Sequence, residues 1–303
     1  MTIPPATEAA DARYDGLDTW PDEVVLAALL DGQRRALEAV AVAIPDLCRG
    51  ARLAAERLRG GGRLIYVAAG SPALMSLADA LEIPQTYGIA HERIVTILAD
   101  GKGIAERLDG SREDRADAAE TDLAAAMVGP ADCIIATSAS GSTPYTVAGL
   151  RAARRAGAAT IGIAGNPNSA LLESAEVAVL LATGPEVIAG STRMGAGTAQ
   201  KAALNMLSTL MGVHLGHVYD GLMVNVKADN AKLRGRAARI VSKITGVDDG
   251  TAVRALEVSG GEVKPAALIA AGVRSLAEAG ALLGQSRGNL RQALARASTD
   301  PQA

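Results

Sequence analysis

The feature that most constrains this chain is an alternation that starts after Gly60-Gly61-Gly62. Five short apolar runs, at 63–69, 93–98, 132–137, 159–164 and 177–181, are separated by helical patterns at 72–81, 115–127, 144–156 and 169–173. The runs lack the polar alternation of a strand with one wet face, so each is expected to be buried on both faces. Such strands, joined by helices, predict an α/β fold: a doubly wound five-stranded parallel sheet covered by helices on both sides. In that architecture ligands sit beyond the carboxyl ends of the strands. The loops there, at 70–72, 138–143 and 165–169, all carry small polar residues.

The flanks read as helical. Residues 1–20 mix Pro, Asp, Gly and Thr and predict an irregular arm, and Pro21 and Pro45 open two helices that the glycine triplet stops. After the sheet, 196–211 is apolar on nearly all faces, which predicts a helix buried in a core or in a subunit interface. From about Ala228 the composition turns to Lys/Arg-rich helix, followed by two helical segments around 248–258 and 264–283 and a tail at 285–297. The expected organisation is an N-terminal arm and helices at 1–60, the α/β domain at 61–227, and a small helical C-terminal domain at 228–303.

Charge narrows the partners. A formal net charge of -3 over 303 residues leaves no basic footprint for nucleic acid and no polybasic patch for a membrane, so a small molecule is the expected partner. The N-terminus has no apolar leader core, no stretch is long enough to span a bilayer, and the two cysteines, Cys48 and Cys133, are far apart. A cytoplasmic protein is expected.

The stretch 132–155 carries the clearest chemistry. An apolar strand ends in Ser138, Ser140, Ser142 and Thr143, and Pro144 opens a helix. Unpaired N–H groups and the positive helix end converge there, which suits an anionic group. His214 and His217 are spaced i, i+3 on an expected helix, but no carboxylate or cysteine stands beside them at ligand spacing, so packing is the stronger reading. No nucleophile elbow, Walker loop or G-x-G-x-x-G follows a strand, and the expected chemistry uses no metal and no cofactor. Two carboxylates remain. Glu82 follows an apolar run and precedes Ile83-Pro84, at an expected helix end where the dipole disfavours an acid. Glu113 lies in a charged turn before a helix, where an N-terminal acidic cap is the plainer reading.

Several segments taken together resemble the N-acetylmuramic acid 6-phosphate etherases of the sugar-isomerase (SIS) domain superfamily. They are Gly62-Arg63-Leu64-Ile65-Tyr66-Val67, Glu82-Ile83-Pro84-Gln85-Thr86-Tyr87-Gly88, Ser138-Ala139-Ser140-Gly141 with Thr143-Pro144-Tyr145, and Gly184-Pro185-Glu186-Val187. Gly190-Ser191-Thr192-Arg193 belongs with them, as does the most specific block, Ala196-Gly197-Thr198-Ala199-Gln200-Lys201 with Leu204-Asn205-Met206-Leu207-Ser208-Thr209. The resemblance implies a SIS fold, a homodimer, and a lyase that cleaves a lactyl ether by elimination and hydration. It also implies that Glu82 is the acid assisting lactate departure and that Glu113 is the second catalytic glutamate. The sugar phosphate would meet Ser71, Ser138, Ser140, Gly141, Ser142, Thr143, Glu186, Ser191 and Lys201. An acid working near neutrality calls for a buried setting at Glu82.

Two positions depart from the family pattern. The glycine-rich loop after the first strand is replaced by 68–76, and Ser142 stands where an arginine is usual. Either another cation, Arg193 or Lys201, compensates, or the ligand differs. A sugar-phosphate-binding regulator without turnover, and a SIS enzyme acting on another sugar, are therefore the alternatives.

Overall fold

The computed structural model describes residues 5–108, 110–226 and 231–299. The boundary expected between 227 and 228 lies outside them. The chain forms two compact units, one of Met1–Leu81 with His91–Leu210 and one of Glu82–Ala90 with Met211–Ala303.

The first unit is built on five parallel strands, β1 (Leu64–Ala68), β2 (Ile94–Leu98), β3 (Cys133–Ser138), β4 (Ala159–Ala164) and β5 (Val177–Leu180), in the order β2-β1-β3-β4-β5. The expected α/β sheet is therefore present. Every residue of β1, β3 and β4 is buried, which explains why these runs carry no polar alternation. Helices cover both faces. On one, α2 (Ile44–Arg59) comes so close that a Cβ on Gly50 would lie 3.3 Å from both Ile161 Cδ1 on β4 and Leu207 Cδ1 on α7 (Gly195–His214). On the other, α5 (Pro144–Arg155) approaches β1 at Gly149, where a Cβ would fall 2.8 Å from Val67 Cγ1. Ile65, Val67, Ile134 and Ala136 face this second layer together with α4 (Ala116–Ala125).

Polar pins fix the sheet. Arg63 clamps Asp132 through Nε (3.0 Å) and Nη2 (2.7 Å), joining the starts of β1 and β3. Burial opposes the charge on Asp132, yet its hydrogen bonds to Arg63 and Gly129 hold its carboxyl below the usual aspartate range. On the other face, Asp79 of α3 (Ser71–Tyr87) accepts from Tyr66 Oη (2.6 Å), Asn205 Nδ2 (2.6 Å) and Ser208 Oγ (3.0 Å), tying α3 to β1 and α7. Burial, then the Asp79 charge, pushes the Tyr66 hydroxyl well above the usual tyrosine range, so it stays a donor.

Before the sheet, α1 (Asp22–Val42) leads into α2 with only Ala43 between them. The arm ahead of α1 is anchored: Thr7 is fully buried and donates its N–H to Asn166 Oδ1 (3.4 Å). The long apolar helix expected at 196–211 is α7, and Ala199, Ala203, Leu204 and Leu207 on it are all buried within the chain itself.

The second unit holds the end of α3, a hairpin of β6 (Val218–Tyr219) and β7 (Leu222–Met223), and five helices. These are α8 (Ala231–Thr245), α9 (Asp249–Val258), α10 (Val263–Ala270), α11 (Leu276–Gln285) and α12 (Leu290–Thr299). Val241, Ala252, Ala266, Leu268 and Ala279 belong to its core.

Two expectations need correction. The helix read as 72–81 runs on to Tyr87 through Pro84. Ile83, Pro84 and Tyr87 are buried, and Asn225 Nδ2 donates to the Tyr87 carbonyl (2.8 Å), so burial and a capped end outweigh the bond lost at proline. The segment read as 264–283 is two helices. Gly272 has φ +105°, and Ser275 caps the second helix by accepting from the Glu278 N–H (3.2 Å). Among the described residues no helix is long and apolar enough to cross a membrane.

Candidate active site

The site grows from the carboxyl end of β1. Gly70, with φ +61°, turns the chain into α3, whose first residue is Ser71. The Glu113 carboxylate lies directly over that turn. A Cβ on Gly70 would fall 2.6 Å from Glu113 Oε1 and 3.0 Å from Oε2, so both the dihedral and the carboxylate exclude any other residue. Glu113 is held from both sides. Its N–H donates to Gly110 O (3.2 Å), Arg112 Nη1 bonds Ala99 O just past β2 (3.0 Å), and its own carbonyl accepts the Tyr145 N–H from the first turn of α5 (2.9 Å). Tyr145 is fixed in turn by its hydroxyl on Asp122 Oδ2 (2.7 Å).

The acidic-cap reading of Glu113 does not describe the structure: α4 starts at Ala116, its N-cap is Arg115, and no side chain caps it. Instead the half-buried Glu113 carboxylate accepts no hydrogen bond among the described residues. Burial, followed by the charges of Asp100 and Asp114, pushes its pKa above that of an ordinary glutamate. An under-satisfied acid with a raised pKa beside a helix N-terminus is poised to exchange a proton.

The Tyr145–Glu113 bond ties the backbone of Glu113 to the helix that follows the serine loop between β3 and α5. Ser138 Oγ lies 2.8 Å from Thr143 Oγ1 and accepts from the Gly141 N–H (3.0 Å), while Ser140 Oγ accepts from Ser142 N (3.2 Å) and Ser142 Oγ (3.0 Å). Gly141 has φ +76°, and a Cβ there would meet Ser169 Oγ at 2.2 Å. Because Thr143 spends its hydroxyl on Ser138, it makes no cap bond to α5, although it is the N-cap residue. Ser138 is buried, Ser140 and Thr143 are half-buried, and Ser142 is exposed. The loop thus presents small hydroxyls at a helix start that no side chain caps, although Pro144 has no N–H and the Tyr145 N–H is already taken by the Glu113 carbonyl; the hydroxyls are the donors such a loop offers an anion.

The remaining sequence candidates lie in different settings. The buried Glu186 accepts from the N–H groups of Gly195 and Ala196, both at 2.8 Å, and so caps α7. Ser191 sits in a turn closed on Ile188 O (2.9 Å), and Lys201 is exposed on α7. No hydrogen bond or ion pair among the described residues links Ser191 or Lys201 to the serine loop. Glu82 lies within α3, not at its end, and its side chain is exposed in the single chain, so the buried setting that an acid role calls for is not supplied there. The i, i+3 reading of the histidines also fails, because α7 stops at His214 and Gly216 (φ +74°) turns the chain before His217. No group of three metal-ligating side chains gathers among the described residues.

Three residues near the loop were not singled out from the sequence. Asn166 Nδ2 bonds Ser140 O (3.0 Å) and Thr7 Oγ1 (2.9 Å), linking the arm to the loop, while Ser169 packs under Gly141. The signal for Asn166 and Ser169 was the polar run after β4, whereas Thr7, in the arm, carried none. Asp79 was likewise passed over, though an acid inside Leu77-Ala78-Asp79-Ala80-Leu81 is out of place unless it is bonded.

Comparison with known proteins bears on the whole chain. The SIS domain family model matches residues 114–210. An N-acetylmuramic acid 6-phosphate etherase of Deinococcus radiodurans is 43% identical over 97% of this chain and 96% of its own length. Proteins of the same description from Symbiobacterium thermophilum (49% identity, 75% of this chain and 76% of the relative) and Serratia proteamaculans (41%, 96% and 98%) are also similar.

Proposed function

The chain belongs to the N-acetylmuramic acid 6-phosphate etherase family, and from that membership we propose that it is a carbon–oxygen lyase cleaving the lactyl ether of N-acetylmuramic acid 6-phosphate. The products are N-acetylglucosamine 6-phosphate and D-lactate. In the open-chain sugar, Glu113 takes the proton from the carbon beside the aldehyde. The neighbouring carbon–oxygen bond then breaks, its electron pair leaves with the lactate oxygen, and Glu82 protonates that oxygen. Water adds to the resulting double bond, its hydroxyl going where lactate left and a proton returning to the carbon beside the aldehyde. Glu82 lies in the open in the single chain, so the bound sugar or a second copy has to cover it during the step.

The observation that carries this reading is Glu113, whose half-buried carboxylate accepts no hydrogen bond among the described residues and is raised in pKa, and whose backbone carbonyl is tethered to the start of α5. The phosphate is taken by Ser138, Ser140, Gly141, Ser142 and Thr143, with Ser71 at the start of α3. Ser191 and Lys201 complete the pocket, Lys201 or Arg193 supplying the charge that Ser142 does not. Glu186 serves by holding the first turn of α7.

The enzyme works as a cytoplasmic homodimer in the recovery of peptidoglycan amino sugars. Support for the dimer comes from α1, where Leu26, Leu30 and Leu37, spaced to share a helix face, are 65%, 51% and 46% exposed. The test is lactate release from N-acetylmuramic acid 6-phosphate by the wild type, E113Q and E82Q. Release by the wild type, lost in both folded variants, is the expected result. Sugar-phosphate binding with no lactate from the wild type would instead identify a regulator.

A further inference from the structure

The second unit contains a cavity of about 460 Å³, within the range of pockets that take a sugar-sized molecule. Asn225, the Gly260-Gly261-Glu262 turn, Val263 and Lys264 line it. Lys264 is only 7% exposed, and among the described residues its ammonium has neither a hydrogen bond nor an ion pair. A lysine that buried is ordinarily paired, because an isolated charge away from water is costly. The cavity is also where α10 begins. Its N-cap, Glu262, makes no side-chain cap bond, and Pro265 has no N–H to offer. The backbone N–H groups of Val263 and Lys264 find no acceptor among the described residues, so the positive end of the helix keeps two donors on residues that both line the cavity.

We propose that this cavity binds a small metabolite through a phosphate or carboxylate group, held by the Lys264 ammonium and the first two N–H groups of α10.

The surrounding charges agree with an anionic guest. Burial pulls the Lys264 pKa down to about 8, with the Glu262 charge acting the other way, so the ammonium form still predominates at pH 7. Glu262 also lines the cavity, but its side chain is exposed and makes no ion pair with Lys264 among the described residues, so the ammonium remains open to another anion. His217 carries no competing positive charge. Burial, then the Lys264 charge, lowers its pKa to about 4, and its buried Nδ1 has no partner among the described residues.

The test uses lysine labelling of the intact protein. Acetic anhydride at pH 8, read residue by residue by mass spectrometry, is applied with and without inorganic phosphate, D-lactate or glucosamine 6-phosphate. An anion present at ten times its Kd is expected to slow labelling of Lys264 roughly tenfold, while exposed Lys243 on α8 is unaffected. Unchanged labelling of Lys264 with all three overturns the proposal, as does equal protection by sodium chloride at matched ionic strength. Whichever of phosphate and lactate protects identifies the group bound. As a second measurement, Lys264→Met, which keeps the apolar stem, is expected to reduce the rise in thermal midpoint that the protecting anion produces. An undiminished rise in the folded variant contradicts the proposal, and the labelling decides if the variant does not fold. Neither readout involves ether cleavage, so failure of the etherase reading and failure of this one are distinguishable.

Discussion

Two glutamates in the first unit stand at helix starts and have opposite fates. Glu186 places each oxygen 2.8 Å from an N–H of α7 and is satisfied. Glu113 lies over the turn that opens α3, accepts no hydrogen bond among the described residues, and has its pKa raised by burial and by two neighbouring acids. A helix N-terminus is favourable for either carboxylate. What differs is whether the backbone donors reach it. A carboxylate whose lone pairs are filled holds structure, whereas one left short of donors in a half-buried setting is available for proton transfer.

The contrast can be broken by substitution. E113Q removes the proton acceptor and is expected to lower lactate release by about 10²–10⁴-fold with the fold intact, checked by initial rates beside circular dichroism. A stability loss without a rate loss would erase the distinction from Glu186. Asp79→Ala acts on a satisfied acid of the first unit and takes the shared acceptor from Tyr66, Asn205 and Ser208, of which Ser208 keeps only its bond to the Asn205 carbonyl (3.3 Å). Its cost should be ~3–5 kcal/mol in denaturant unfolding, the range for a broken buried charged network. Glu186→Ala is expected to cost less, about 1–2 kcal/mol, because it removes one helix cap, and the same titration measures it.

A smaller effect concerns pH. Folding raises the Glu113 pKa, so the folded state holds that proton more tightly than the unfolded chain does. Its contribution therefore makes stability fall as pH rises from the ordinary glutamate range through the raised value. Thermal melts of the wild type across that window should show this slope, and E113Q should lack it. For the reaction, a Glu113 base is ionised only above its raised pKa, so the acid limb of kcat/KM should lie above the ordinary glutamate range. Last, Ser142→Ala removes one exposed hydroxyl and is expected to change the substrate KM by less than about threefold.

The strands were legible because burial on both faces leaves an unbroken apolar run, and the serine loop because a strand followed by small hydroxyl residues and proline has few other uses. Other features were legible in principle. Asp220-Gly221, between Val218-Tyr219 and Leu222-Met223, is a hairpin signature, and both residues take positive φ, 45° and 73°. The end of α3 was misread because Pro84 is a local stop signal, while the burial of Ile83 and Tyr87 that overrides it is tertiary. The opposed roles of Glu113 and Glu186 could not be read from local sequence at all. Each sits in a loop near a helix start, and only the fold decides that Gly195 and Ala196 reach one while Gly70 presents a bare turn to the other. The same holds for Lys264, whose isolation depends on which side chains fail to reach it.

Glu113, as the base, takes the proton beside the aldehyde carbon in the proposed reaction. Exchange of that proton for deuterium, followed by NMR on N-acetylmuramic acid 6-phosphate in D₂O, tests this role most directly. Exchange is expected with the wild type, still running in E82Q while lactate release is lost, and slowed about a hundredfold or more in E113Q. Exchange at the wild-type rate in folded E113Q would contradict that role.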